Sequence, residues 1–325
     1  MAPHLQVDLS KAPEHRWEQL ASHRENAGRL VDSYADDLGG LEAFGPLLAD
    51  YRAGFVADEY QREINAIAAL IDRSPDHVLL ANLYYDAFRA MIGCTAFAID
   101  TPAGPLHARN LDWWTQGNML SDYTLIAEVT GAACPSPYKL ATWPGSVGAF
   151  SGVAEGRFGI TLNAVISDET PQLAESITLL IRRVFDTAPD YEAALRLLAD
   201  TPIAADCLLL VTGVRQGDMA VVERTSSRAK IRPPTGGLVV VTNDYRALDG
   251  GATPSTASAL HATACARYDR ARALASGTQP ASLAACFDIL QDRQVQMDIT
   301  VQHMVMQAST GLLEVRLPGE STHGH

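Results

Sequence analysis

Cys94, followed at short range by Arg109 and Asp112, places a soft nucleophile near a cation and a carboxylate that could orient it. A free cysteine thiol titrates at about 8.5 and is mostly protonated at neutral pH, whereas an α-amine titrates at about 7.7–8.0 and can accept that proton. A cysteine at a chain start therefore carries its own base. While Gly93 is attached, the Cys94 nitrogen is an amide and is not basic, so the intact chain is expected to be a poor catalyst. The expected chemistry is attack of the Cys94 thiol on the Gly93 carbonyl, transfer of the acyl group to sulfur, and hydrolysis. Arg109 and Asp112 would then hold the new amine and the thiolate.

The elements that must position these groups can be read around them. Residues 95–99 form a short apolar strand, Asp100-Thr-Pro-Ala-Gly104 is dense in turn formers, and an alternating pattern resumes over 106–109. A hairpin turning near Pro102 and Ala103 sets Cys94 opposite Leu111, with Arg109 and Asp112 as close neighbours. Opposed side chains sit about 4.5–5.5 Å apart and diagonal ones about 7–8 Å. Strict alternation aims Arg109 and Asp112 at opposite faces, so a bulge or strand end is expected between them if both serve one site.

Gly93-Cys94-Thr95, His107-Ala-Arg-Asn-Leu-Asp112 and Val241-Thr-Asn-Asp244 resemble the acid ceramidase and N-acylethanolamine acid amidase group of N-terminal-nucleophile (Ntn) hydrolases, related to choloylglycine hydrolases and penicillin acyltransferases. The likeness extends over most of the chain. It includes Val7-Asp-Leu-Ser10, Pro13-Glu-His-Arg-Trp17 and Ala81-Asn-Leu-Tyr-Tyr85, then Gly159-Ile-Thr-Leu-Asn163, Glu175 with Arg182-Arg183, Thr201-Pro-Ile-Ala-Ala-Asp206 and Arg267-Tyr-Asp-Arg270. The resemblance implies autocleavage at Gly93–Cys94, with Cys94 as nucleophile and base and with Arg109 and Asp112 orienting the amine. It implies Asn243 as an oxyanion donor, Asn163 as a second asparagine, Glu175 as a further site residue, and Arg267, or Arg270, as a brace for Asp112. It also implies linear fatty-acyl amide substrates and a four-layer αββα sandwich. An acyl pocket is expected from the small subunit and the loops of Trp113, Trp114 and Trp143.

Plainer readings accompany each residue. Cys94 also fits buried packing, Arg109 with Asp112 a structural ion pair, and Asn243 an Asx turn closing a strand. Glu175 also fits a helix-dipole partner, Trp113-Trp114 core packing, and His107 packing at a strand edge. Cys134, Cys207, Cys265 and Cys286 lack metal-ligand or C-x-x-C spacing, so reduced thiols and no metal or cofactor are expected. The start of the chain lacks a basic flank followed by an apolar run, and no stretch reaches membrane-spanning length, so a cytoplasmic location without a transmembrane segment is expected. Lysine is restricted to Lys11, Lys139 and Lys230 among many arginines and alanines, which hints at a GC-rich bacterial genome.

A formal charge of −13 over 325 residues argues against nucleic acid and anionic membrane partners. The Gly236-Gly237 and Gly250-Gly251 pairs lack a following Lys-Ser/Thr and read as loops, and His323 and His325 as a frayed end. The periodicity gives an α+β chain: a helical segment over 1–93, then, over 94–325, strand blocks separated by helix pairs that suit two stacked sheets covered by helices; the resemblance implies that this second region is the αββα sandwich and that cleavage makes the two pieces the α and β subunits. In the second region strands are expected at 95–99, 106–110, 124–129, 147–154, 158–165, 207–212, 219–223, 238–242, 300–308 and 312–316. Helices are expected at 173–186, 191–199, 256–275 and 282–290. The expected product is an α/β heterodimer acting on a small acyl amide. Three other functions remain open: acyl transfer to an amine, an acyl-chain carrier that never matures, and an uncleaved thiol enzyme using a Cys/His pair.

Overall fold

The computed structural model describes residues 2–88, 92–115, 118–248, 262–277 and 281–319. The Gly250-Gly251 pair and the tail histidines His323 and His325 lie outside the described residues, as do 256–261 of the helix expected at 256–275.

Two sheets carry the structure. Strands β1 (His4–Asp8), β4 (Leu125–Thr130), β5 (Tyr138–Thr142), β6 (Ser151–Ala154), β7 (Phe158–Ala164), β8 (Cys207–Thr212), β9 (Met219–Arg224) and β10 (Ala229–Arg232) form one in that spatial order. The other runs β11 (Leu238–Val241), β2 (Ile92–Ile99), β3 (Leu106–Trp113), β12 (Thr300–Gln307), β13 (Leu312–Arg316).

Every residue of β2 and β3 is buried, because both faces of that hairpin are covered. On the inner face Ala96 and Ala98 pack against Leu208, Leu210 and Val221 of the first sheet. On the outer face Phe97, Ile99, Leu106 and Ala108 pack against α9 (Ala264–Gly277) and α10 (Leu283–Leu290) through Ala271, Ala275, Cys286 and Phe287. The first sheet is covered by α7 (Ile177–Thr187), whose Phe185 stacks on Phe158 and Tyr138 at 5.3 and 5.2 Å, with α8 (Tyr191–Asp200) following it. The result is the expected αββα sandwich.

The N-terminal segment supplies α1 (Arg24–Asp37), α2 (Gly45–Phe55), α3 (Asp58–Ile71), α4 (Pro75–Asn82) and α5 (Tyr84–Phe88). α3 buries Tyr60, Glu63, Ile64, Ile67, Ala68 and Ile71 at helical spacing, and α4 starts at Pro75 behind Ser74, whose hydroxyl accepts from His77 N at 3.3 Å. The short α6 (Met119–Asp122) follows β3.

The all-helical reading of this segment needs correcting at its start: β1 pairs in parallel with β4, so the segment contributes an edge strand to the eight-stranded sheet. β5 and β10 are also strands the periodicity did not single out. Residues 147–150 of the expected strand 147–154 are not in β6. Their amides bond elsewhere instead, Val147 N to Asn82 Oδ1 at 2.7 Å and Ala149 N to Thr178 O at 2.9 Å. Among the described residues no helix is long and apolar enough to cross a membrane.

Candidate active site

The β2–β3 hairpin has the expected register: Cys94 faces Leu111, Gly93 faces Asp112, and Ala96 faces Arg109. Alternation then places Arg109 on the inner face of the sheet and Asp112 on the outer face. The expected break in β3 is absent. The register shift lies instead on the neighbouring strand, between Thr300 and Gln302 of β12, opposite Asp112 and Leu111. Both charges still bear on Cys94, one from each side.

From the inner side, Arg109 donates Nη2 to Cys94 Sγ at 3.2 Å and to Leu162 O at 2.5 Å, and Nη1 to Ser151 Oγ at 2.6 Å. Strands β6 and β7 of the opposite sheet thus aim the guanidinium at the sulfur. From the outer side, Arg267 of α9 donates Nη1 to Cys94 O at 2.6 Å and to Thr95 Oγ1 at 2.8 Å, and Nη2 to Asn243 Oδ1 at 2.7 Å. Asn243 Oδ1 also accepts from Cys94 N at 3.1 Å, while its Nδ2 donates to Ala164 O at 2.8 Å. A backbone N–H and a guanidinium can only donate, so the oxygen of the Asn243 amide must face them. Thiol, amide nitrogen and carbonyl of one residue are therefore each held by a different buried side chain.

Asp112 completes the set. Its Oδ1 accepts from Thr300 Oγ1 at 2.5 Å, and its Oδ2 lies 3.9 Å from Arg267 Nη1 with no hydrogen-bond donor among the described residues. Arg267, not Arg270, is the arginine beside Asp112, since Arg270 pairs with Asp292 at 3.0 and 2.5 Å.

Burial dominates the electrostatics. It raises the Cys94 thiol above its ordinary value, against the pull of Arg109 and with help from the Asp112 charge. It likewise raises the Asp112 carboxyl, opposed by Arg267, and lowers the Arg267 guanidinium. At neutral pH the Cys94 thiol is therefore a protonated group.

The other expected residues fall into two groups. Asn163 belongs to the site's frame: its Nδ2 donates to Val241 O and Thr242 O at 3.3 and 3.0 Å, tying β7 to the strand that leads into Asn243. Glu175 does not join the Cys94 cluster. Its carboxylate is held by Arg183 at 3.0 and 2.6 Å, near the start of α7. Trp113 and Trp143 are buried in an aromatic cluster, 5.7 Å apart, with Trp113 also on Tyr34, Tyr84 and Phe150, whereas Trp114 is exposed. His107 is not at a sheet edge. It lies on the inner face of central β3, its ring nitrogens 3.1 Å from Thr212 Oγ1 and 2.8 Å from Thr161 Oγ1. Burial depresses it to about 3, with the Arg109 charge acting in the same direction.

Sequence reasoning missed Ser151, the Leu162 carbonyl and Thr300, which bear on the site only through the crossing of the sheets and the bulge in β12. A cavity of about 780 Å³ borders Arg267 on its outer side, lined also by Ala266, Met297 and Ile299. No disulfide joins any of the five cysteines, and among the described residues no cluster of three His, Cys, Asp or Glu could hold a metal ion.

No protein-family model matches the chain. Curated relatives nevertheless align with nearly all of it. Acid ceramidase of Balaenoptera acutorostrata scammoni is 23% identical over 358 aligned residues, covering 97% of this chain and 86% of that protein. The N-acylethanolamine-hydrolyzing acid amidase of Cavia porcellus is 26% identical over 337, covering 95% and 88%. Among solved structures, the Caenorhabditis elegans ortholog of that amidase superposes with a TM-score of 0.55 at 18% identity, covering 66% of this chain and 93% of the other. The chain is thus similar over nearly its whole length to acid ceramidases and N-acylethanolamine-hydrolyzing acid amidases, and its fold is that of the Ntn hydrolases.

Proposed function

We propose that this protein is an Ntn amide hydrolase that cuts itself between Gly93 and Cys94 and then hydrolyses linear N-acyl amides, of the fatty-acyl type, through a thioester at Cys94. The observation that carries this reading is the separate buried grip on the sulfur, nitrogen and carbonyl oxygen of Cys94 by Arg109, Asn243 and Arg267. A packing cysteine has no use for such an arrangement, and burying those polar groups is costly unless they are paired. A carrier that never matures has no use for it either. The substrate class follows the names of the relatives, acid ceramidase and N-acylethanolamine-hydrolyzing acid amidase.

In the maturation step the Cys94 sulfur adds to the Gly93 carbonyl carbon. The carbon–nitrogen bond breaks and its nitrogen takes the thiol proton. Water then hydrolyses the thioester, leaving Gly93 as a carboxylate and Cys94 with a free thiol and amine. Asp112 stands opposite Gly93 in the ladder, and its Oδ2 has no donor among the described residues; the new amine supplies one. In turnover the amine takes the thiol proton as sulfur attacks the substrate carbonyl and passes it to the departing amine, and water releases the acid. The second Nδ2 proton of Asn243, beyond the one given to Ala164 O, is the donor for the developing oxyanion; one such donor typically contributes about 2.7–4 kcal/mol. The 1–93 piece remains the α subunit of a heterodimer, and cysteines that form no disulfide favour a reducing, cytoplasmic setting.

Intact mass spectrometry tests the proposal. The wild-type protein is expected to resolve into 1–93 and 94–325 pieces, and Cys94→Ala to stay whole and inactive toward fatty-acyl amides of a fluorogenic amine. Full turnover by an unbroken chain refutes it. Added primary amines that appear in new amides would identify acyl transfer.

A further inference from the structure

Glu223, on β9, lies outside the set described so far and is fully buried. Its Oε2 accepts three consecutive backbone N–H groups, those of Arg246, Ala247 and Leu248 at 3.1, 2.8 and 2.9 Å, and its Oε1 accepts Arg232 Nε at 2.9 Å. Arg232 alone would satisfy the charge. Successive N–H groups converging on one oxygen form an anion nest, here filled by a side chain from another strand. The nest begins three residues after Asn243. The same segment is pinned on either side of Asp244, by Thr242 Oγ1 on Asp244 Oδ1 at 2.9 Å and by Tyr245 OH on Arg224 O at 2.7 Å.

We infer that Glu223 is a positioning residue: it clamps the 246–248 backbone and thereby fixes Asn243 against Cys94 N and Arg267. This rests on the reading of Asn243 as part of the reacting site. The carboxylate touches no reacting atom, so its effect on catalysis passes through Asn243.

Glu223→Gln keeps the size and removes the charge that gathers the three N–H groups. Hydrogen exchange at the amides of Arg246, Ala247 and Leu248 is expected to accelerate at least tenfold, while that of β8 is unchanged. Scission at Gly93–Cys94 slows at least tenfold, and kcat of the cut enzyme on a fatty-acyl aminocoumarin falls with KM held. The double variant Glu223→Gln/Asn243→Ala is no slower than Asn243→Ala. Arg232→Gln, which leaves the N–H bonds in place, keeps the loop protected. Should Glu223→Gln fail to fold, Ala247→Pro deletes one donor of the nest and should deprotect its neighbours and slow scission in the same way. Unchanged protection of 246–248, or losses that multiply in the double variant, overturns the assignment. A wild-type protein that neither cuts itself nor hydrolyses amides sinks the enzymatic reading, while faster exchange in Glu223→Gln would still uphold the clamp.

Discussion

His107 offers a quantitative test of the site, because a Cys/His mechanism would need it as a base and the structure holds it neutral. Its ring is sealed between Thr161 and Thr212, and burial takes it from 6.5 to about 3. A histidine depressed in the folded state contributes stability that is fully present above its unfolded value and is lost as pH falls towards the folded one. Between about pH 7.5 and 5 the unfolded chain takes up nearly one proton at this residue and the folded chain none, which integrates to about 2 kcal/mol of lost stability. Replacing the ring by glutamine, which can still bridge two hydroxyls, removes that term. Urea unfolding of wild type and His107→Gln at the two pH values should show the variant losing about 2 kcal/mol less. Scission and hydrolysis should persist in the variant. Equal acid losses in the two proteins would refute the neutral, buried assignment, and loss of scission in a folded His107→Gln would refute the amine-based mechanism.

Arg267→Lys keeps a positive charge but replaces a planar fork by a single ammonium, which cannot hold Cys94 O, Thr95 Oγ1 and Asn243 Oδ1 together; scission followed by intact mass should slow by about a hundredfold, on the scale of two lost charge-assisted bonds. Thr300→Val removes the hydroxyl bonded to Asp112 and leaves a buried carboxyl without a donor among the described residues, so the unfolding midpoint should fall by an amount corresponding to about 1–3 kcal/mol. Glu63 lies on α3, where it accepts from Trp17 Nε1 at 2.6 Å and Arg16 Nη1 at 2.8 Å and faces Arg182 of α7 at 3.6 Å; Glu63→Ala leaves two buried guanidiniums short of a partner and should cost about 3–5 kcal/mol by urea unfolding.

The parts of this molecule legible in its sequence are those whose cause is local. Turn formers between two apolar runs set the β2–β3 register, and with it the placing of Cys94 opposite Leu111. Strands β8 and β13 have the expected bounds because each is an apolar or alternating run ending in polar or Gly/Pro residues. β1 escaped because five residues with a short alternating pattern find their partner in β4, far along the chain, and nothing local signals a parallel edge strand. Ser151 and the Leu162 carbonyl escaped for a related reason: they meet Arg109 only because β6 and β7 cross beneath β3.

Asn243 shows how far a resemblance can carry an assignment. Its place at the site is what the likeness of the Val-Thr-Asn-Asp stretch implies, but the direction of its amide depends on which donors converge on it. Two obligate donors, the Cys94 N–H and the Arg267 guanidinium, converge on its oxygen. The proposed scission would turn that nitrogen from an amide into an amine, which would keep a proton for the same oxygen and gain a lone pair for the sulfur's proton. The contacts that anchor the peptide nitrogen are thus the contacts that would orient the base after the proposed cut, so such a maturation would need no rebuilding of the frame around Cys94.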